Sequence, residues 1–265
     1  MKFPILIIFI FSSFLSVAHD NKGRAHYLGN EGVMVSQSGV KVLFDPFFHN
    51  SYGHYTLVPE KLRQAIFDNK APYDNVSAIF ISHAHGDHFD KNDVLKYLQK
   101  NQTVKLFAPA QAVEMIKNLK GYKEVKDRVT AVHLKKGEAP KHFSIKDIDI
   151  EVVRIPHAGW PKRAEIENMV FRVKVGGSTV VMHMGDADSD VSHYYEQQFF
   201  WPKQTTDMAF PPYWLSLSAS GKHVLNKVIN AKKIIGVHVP TTVPPDLKAS
   251  GDDFFSKPGE TRDIE

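Results

Sequence analysis

The chain has 265 residues, 43% hydrophobic and 23% charged. That is enough to bury a core, and it excludes a disordered chain, a collagen-like fibre and a polytopic membrane protein. The formal charge of +4 gives little support to nucleic-acid binding, and the absence of cysteine excludes disulfides, thiolate metal sites and a cysteine nucleophile. Histidine stands out at 14 residues, and its side chain ligates metals and moves protons near neutral pH.

In chain order, Met1–Leu15 carries one charge, Lys2, and an apolar run from Phe3 broken only by Ser12 and Ser13. Ser16-Val17-Ala18 follows with small residues at the positions a signal peptidase reads. The run is short of the about 20 residues needed to span a bilayer. Residues 1–18 are therefore expected to be a cleaved signal peptide, leaving an exported protein, periplasmic or secreted, with no stable membrane anchor. Residues 19–265 are expected to form a single domain.

Ala25–Gln37 and Gly39–Phe44 read as two strands turned at Ser38-Gly39, ending at Asp45-Pro46. Leu57–Asn69 has helical spacing, and Ser77–Ser82 is a short buried strand. A helix over Asp90–Lys100, with Asp90 as N-cap, a strand over Val104–Ala108 and a helix over Pro109–Leu119 follow. Val129–Ile155 turns to strands, with turns near Lys136-Gly137 and Lys146-Asp147. Asn168–Val175 and Ser178–His183 form a hairpin around Gly176-Gly177. Met208–Phe210 is a strand, Lys222–Asn230 a helix and Lys233–Val237 a last strand. The tail from about residue 244 is polar and is expected to be loosely held. Mixed strands and helices suggest two packed sheets covered by helices.

The sequence His83-Ala84-His85-Gly86-Asp87-His88 directly follows an apolar strand. Side chains alternate along an extended backbone, so His83 and His85 can point the same way. Gly86 lets the chain bend before Asp87 and His88. One loop can thus offer two ligands to one ion and two to another. His157, Asp186 and His238 each follow a strand in the same manner. Five histidines and two aspartates suffice for two sites if one carboxylate bridges, with a position left for water.

In this motif order and spacing the chain, from roughly Tyr27 to Thr242, resembles the metallo-β-lactamase-fold hydrolase superfamily. The resemblance implies a mixed α/β (α+β) fold, the four-layer αββα sandwich, with metals at one edge of two sheets. It implies His83, His85 and His157 as one metal site, Asp87, His88 and His238 as the other, and Asp186 as the bridging carboxylate. Asp45 in Phe-Asp-Pro matches an early aspartate that orients a ligand by hydrogen bonding. Leu28-Gly29-Asn30-Glu31-Gly32, Asp45-Pro46 and Gly185-Asp186 look most like the branch with ascorbate-6-phosphate lactonases and N-acyl-phosphatidylethanolamine phospholipase D enzymes. Asp186 argues against β-lactam hydrolysis, because true β-lactamases typically lack that bridge.

The expected function is an exported binuclear hydrolase that uses a metal-bridging hydroxide on an ester, lactone or phosphodiester of a small-molecule substrate. Two divalent ions are expected, zinc first and manganese or iron as alternatives. They would sit roughly 3.5–4 Å apart and lower the pKa of a shared water from ~15.7 towards about 7. Asp87 is the expected catalytic residue, aiming the nucleophile. Alternatives are a non-catalytic exported metal-binding protein of the same fold and a β-lactamase-type amide hydrolase. Trp160, Tyr213 and Trp214 are candidate pocket residues. Lys162 and Arg163 read as solvated surface charge, with binding of a substrate phosphate or carboxylate as the alternative. No nucleic-acid partner is expected.

Overall fold

The computed structural model describes residues 22–265, so the expected signal peptide lies outside the described residues. The first sheet contains β1 (Gly23–Gly29), β2 (Gly32–Gln37), β3 (Val40–Phe44), β4 (Val76–Phe80), β5 (Lys105–Pro109), β6 (Val129–Val132) and β13 (Thr261–Ile264). The second contains β7 (Lys141–Ile145), β8 (Ile148–Arg154), β9 (Met169–Val175), β10 (Thr179–His183), β11 (Met208–Phe210) and β12 (Lys233–Ile234). Strand orders are β13-β1-β2-β3-β4-β5-β6 and β12-β11-β10-β9-β8-β7. The two inner faces share one core that includes Val33, Phe44, Phe80, Phe107, Phe171 and Phe210. Helices Glu60–Phe67, Lys91–Lys100 and Ala110–Lys117 cover the outer face of the first sheet through Ile66, Leu98 and Ile116. The segments around Ser192–Tyr195, Trp214–Leu217 and Val224–Ile229 cover the second through Tyr194, Leu215 and Ile229. Helices outside and sheets inside make the four-layer αββα sandwich expected from the sequence. Among the described residues, no helix is long and apolar enough to cross a membrane.

The helix Lys91–Lys100 forms where the capping signal places it, with the Asp90 carboxylate accepting from the backbone N–H groups of Asn92 and Asp93. Other expectations are corrected. The single strand read over Ala25–Gln37 is a hairpin, β1 and β2, broken at Asn30-Glu31. Asn30 lies in the left-handed region with φ 43°, where Asn is one of the few residues tolerated. Both turn side chains are fully buried, so the polar turn points inward and escapes a reading based on surface loops.

The strand read to Ser82 stops at Phe80, because the Ser82 N–H leaves the ladder for the Asp45 carboxylate at 2.7 Å. The helix read over Lys222–Asn230 is a short α-turn, Ala219–His223, followed by a wider i→i+5 stretch over Val224–Ile229. The last strand read over Lys233–Val237 is regular at Lys233–Ile234, and its pairing runs on to Val237, with Ile235 donating to Ala209 O and parallel bridges at Gly236↔Phe254 and Pro212↔Val237. Along this stretch the backbone alternates partners, Gly236 donating to Asp253 and Val237 to Pro211.

The tail is not loosely held. Phe255 is fully buried and stacks on Tyr27 with centroids 5.1 Å apart. Leu247 is buried in a short helix, Pro245–Ser250. β13 pairs antiparallel with β1 from Gly23↔Ile264 to His26↔Thr261. Leu247, Phe255 and Ile264, all buried, anchor a segment whose overall composition is polar.

Candidate metal centre

All candidate ligands converge at one edge of the sandwich, where strands of both sheets end. β4 delivers the His83–His88 loop, which doubles back through hydrogen bonds from the His88 and Phe89 N–H groups to His85 O at 3.1 and 2.9 Å. β8 delivers His157, β10 delivers Asp186, and the segment after β12 delivers His238.

The seven side chains gather into two adjoining clusters. In the first, His83 Nε2 and His157 Nε2 lie 3.1 and 3.2 Å from His85 Nδ1, and Asp186 Oδ2 lies 3.1 Å from His157 Nε2 and 3.9 Å from His83 Nε2. In the second, Asp186 Oδ1 lies 3.2 Å from His88 Nε2 and 3.1 Å from His238 Nε2, and Asp87 Oδ2 lies 3.6 and 3.3 Å from the same nitrogens. One Asp186 oxygen serves each cluster. A tetrahedral ion with bonds of about 2.1 Å separates its ligands by about 3.4 Å, which matches these spacings. His88 Nε2, His238 Nε2 and Asp186 Oδ1 are buried and have no partner in hydrogen-bonding geometry despite their proximity. The ligand atoms of each cluster lie within 4.8 Å of one another. Buried polar atoms are rarely left unsatisfied, so these residues fit a pair of divalent cations.

A second layer of polar residues fixes the ligand rings. Asp45, at φ 41°, accepts from His88 Nδ1 at 2.9 Å and from the Ser82 hydroxyl at 2.5 Å. Since Ser82 donates to Asp45, its oxygen accepts from His83 Nδ1 at 3.0 Å. Asp45 thereby orients His88 directly and His83 through Ser82, leaving both Nε2 atoms free for metal. His157 Nδ1 donates to Ala158 O at 2.7 Å.

Asn168 ties strand ends together, donating to Ile155 O and Met184 O and accepting from the Asp186 N–H. A Cβ on Gly185 would lie 2.4 Å from Asn168 Oδ1 and 2.6 Å from Ser82 Cβ, so only glycine lets Asp186 sit this close. Asn30 Nδ2 donates to Asp87 O at 2.9 Å, and Asn30 O accepts from the His238 N–H at 3.1 Å. Glu31 is fully buried, 3.4 Å from His183 Nε2. Asn30 and Glu31 enter the sequence reading only as part of the Leu28–Gly32 stretch, without a role, and Ser82 and Asn168 pass as strand-end residues because a lone polar residue carries no periodic signal.

The two clusters differ electrostatically. Burial, then the charge of His88, hold His83 well below the ordinary imidazole value. Burial and neighbouring His157 also lower His85. Burial alone would lower His88 and His238 too, but the Asp186 charge outweighs it. His88 is raised well above its ordinary value, and His238 is raised to about 9. Burial would likewise raise Asp186 and Asp87, but the facing histidines hold both carboxyls below their usual range.

The site opens into a cleft of about 380 Å³ lined by Tyr52, Tyr55, His85, Asp87, Arg163 and His238, among others. Tyr55 lies edge-on to His238 with centroids 4.0 Å apart. Burial, then the charges of Asp186 and Asp87, raise its phenol to about 12. The three aromatic pocket candidates line no part of this cleft. Trp160 packs against His193 and lies under Lys136. Trp214 donates to Ala187 O and backs His238, with Tyr213 against it. Tyr55, Tyr52 and Arg163 occupy the cleft instead. The tyrosines stand in a segment between Asp45 and the first helix that carries no motif.

A family model for the β-lactamase superfamily domain matches residues 24–238. A metallo hydrolase, Igni18, from the hyperthermophilic archaeon Ignicoccus hospitalis superposes with a TM-score of 0.60 at 17% identity, over 92% of this chain and 99% of that one. A possible metal-dependent hydrolase from Veillonella parvula gives 0.61 at 14% identity, over 91% and 98%. An isothiocyanate hydrolase from Delia radicum gut bacteria gives 0.56 at 14%, over 90% and 98%. No curated protein matches the chain closely enough to count as a relative. With the domain matched over most of its length, the chain belongs to the metallo-β-lactamase superfamily, and it shares its fold with these solved structures.

Proposed function

We propose that the chain is an exported hydrolase that cleaves an ester, lactone or phosphodiester with two divalent cations. Imidazole and carboxylate donors suit zinc, with manganese and iron as alternatives. The observation that carries this reading is the Asp186 carboxylate, which directs one oxygen into each ligand cluster. His83, His85 and His157 would hold one cation, Asp87, His88 and His238 the other, with Asp186 between them. Bound there, the pair supplies Lewis acidity and lowers the pKa of water towards about 7.

The chain's own groups do the rest. Asp87 stays ionised at the floor of the cleft and accepts a hydrogen bond from the attacking water, aiming it at the substrate. Tyr55 stays a phenol at neutral pH and donates to the substrate oxygen on which negative charge develops. Asp45 and Ser82 keep His88 and His83 in one tautomer throughout. The cleft volume falls in the range of small-molecule sites, roughly 300–1,000 Å³.

The short apolar run before Ala18 supports export, and the mature protein is expected to begin at His19. Metal analysis is expected to return about two ions per chain. Hydrolysis of p-nitrophenyl acetate, a γ-lactone or bis-p-nitrophenyl phosphate should be lost in chelator and restored by zinc. Two bound metals with no turnover of any of the three would overturn the catalytic reading.

A further inference from the structure

We propose that Arg163 is the anion-recognising residue of this cleft, so that the substrate carries a carboxylate or phosphate oxyanion. The inference rests on the hydrolase reading and names its substrate class.

Arg163 follows His157 by six residues and lines the same cleft as His85, Asp87, Asp186 and His238. The six other arginines among the described residues are all engaged. Arg24, Arg63, Arg172 and Arg262 pair with carboxylates, and Arg128 and Arg154 donate to backbone carbonyls. Arg163 pairs with no carboxylate within 4.0 Å among the described residues, and the one side-chain contact of its guanidinium is with His157 Nδ1, 3.5 Å from Nη1. That nitrogen already gives its proton to Ala158 O, so it cannot accept from the guanidinium. The fork of donors therefore faces the cleft without an acceptor, a geometry suited to bidentate binding of an oxyanion.

The support beneath Arg163 is built. Its Cδ lies over Gly159, 3.5 Å from where a Cβ would stand, and φ 93° keeps that position suited to glycine. Arg154 Nη2 donates to Ala164 O and Ile166 O at 3.1 and 3.3 Å. Gln111 Nε2 donates to Glu165 O at 2.7 Å, and Gln111 and Glu167 exchange a further pair of side-chain to backbone bonds. The loop is thus clamped from two sides while its cation stays unpaired.

Electrostatics narrows the occupant. A guanidinium beside a centre suited to two dications is repelled by them. An anion lying between the guanidinium and the cations relieves that repulsion, and a neutral substrate does not. Glu165, exposed at the same mouth, opposes the anion and sets the sign of a control substitution.

The test uses metal-loaded protein with three substrates: anionic bis-p-nitrophenyl phosphate, anionic p-nitrophenyl hemisuccinate and neutral p-nitrophenyl acetate. Arg163→Ala is expected to lower the ratio of kcat/KM for an anionic substrate over the neutral one at least tenfold, chiefly through KM. Arg163→Lys should fall between, and Glu165→Gln should move the ratio upward. The two anionic substrates separate a phosphate preference from a carboxylate preference. In parallel, calorimetric titration with inorganic phosphate should show at least tenfold weaker binding to Arg163→Ala. An unchanged ratio and unchanged phosphate affinity would overturn the proposal while leaving the hydrolase reading intact. Absence of turnover in the wild type would overturn the hydrolase reading, and the phosphate titration would still decide the role of Arg163.

Discussion

The two halves of the metal centre are built from the same residue types but prepared in opposite ways. In the His83, His85, His157 cluster, burial holds His83 and His85 in the neutral form that ligates metal. In the Asp87, His88, His238 cluster, carboxylates hold His88 and His238 in the protonated form. The first half can accept an ion with little proton release from those rings. The second must exchange protons for the ion, because ligation needs the neutral imidazole. Protons occupy the role of the second cation until it arrives. Loading is therefore expected to be sequential, with only the second ion strongly dependent on pH.

Removing the shared element should break the comparison altogether. Asp186→Ala takes one ligand from each half and leaves His88 and His238 without their main counter-charge. Activity is expected to fall by about a thousandfold, beyond the about 10–100-fold typical of losing a residue that only supports a ligand. Metal analysis should find fewer than two ions per chain. Retention of both ions would mean that Asp186 does not join the halves.

Stability of the metal-free protein sharpens the contrast. His238 is raised from 6.5 to about 9 on folding, so its contribution is fully present below pH 6.5 and is lost as pH rises through about 9. His88 shifts in the same direction. Thermal melts of the chelated protein should show Tm falling from pH 6.5 to 9, with a loss of about 3 kcal/mol from His238. Metal-loaded protein should lack this slope, because the ion replaces the protons. A flat profile in both states would refute proton exchange in the second half.

The mildest change is graded between the halves. Asp45 touches His88 directly but reaches His83 only through Ser82. Asp45→Asn is expected to weaken the second ion about 10–100-fold and the first by less, as read by competition with a chromogenic chelator. Equal losses would show that Ser82 transmits orientation as fully as direct contact.

What the sequence discloses follows from how each residue announces itself. His83, His85, Asp87 and His88 stand directly after an apolar run, and His157, Asp186 and His238 each close another, so burial pattern and ligand chemistry coincide. The αββα layering is legible for the same reason, since strand-length apolar runs alternate with helical spacing. The supporting shell is not. Asn30 and Asn168 read as parts of strands, and only the fold reveals that each bridges backbone segments distant in sequence. The hairpin break at Asn30-Glu31 stays hidden because the run from Ala25 to Gln37 contains enough apolar residues to mimic one long strand. The tail misleads because average polarity hides Phe255 and Ile264, two anchors whose effect depends on partners near the other end of the chain.

That last pairing has a cost during biosynthesis. Arg24 and Asp263 are bonded across 239 positions, so β1 keeps an unpaired rim until β13 leaves the ribosome. Contacts of such separation form late, and an open strand rim is a template for joining another chain. A nascent molecule, or one lacking β13, would carry that adhesive rim, making β13 a guard against self-association as much as a structural brace.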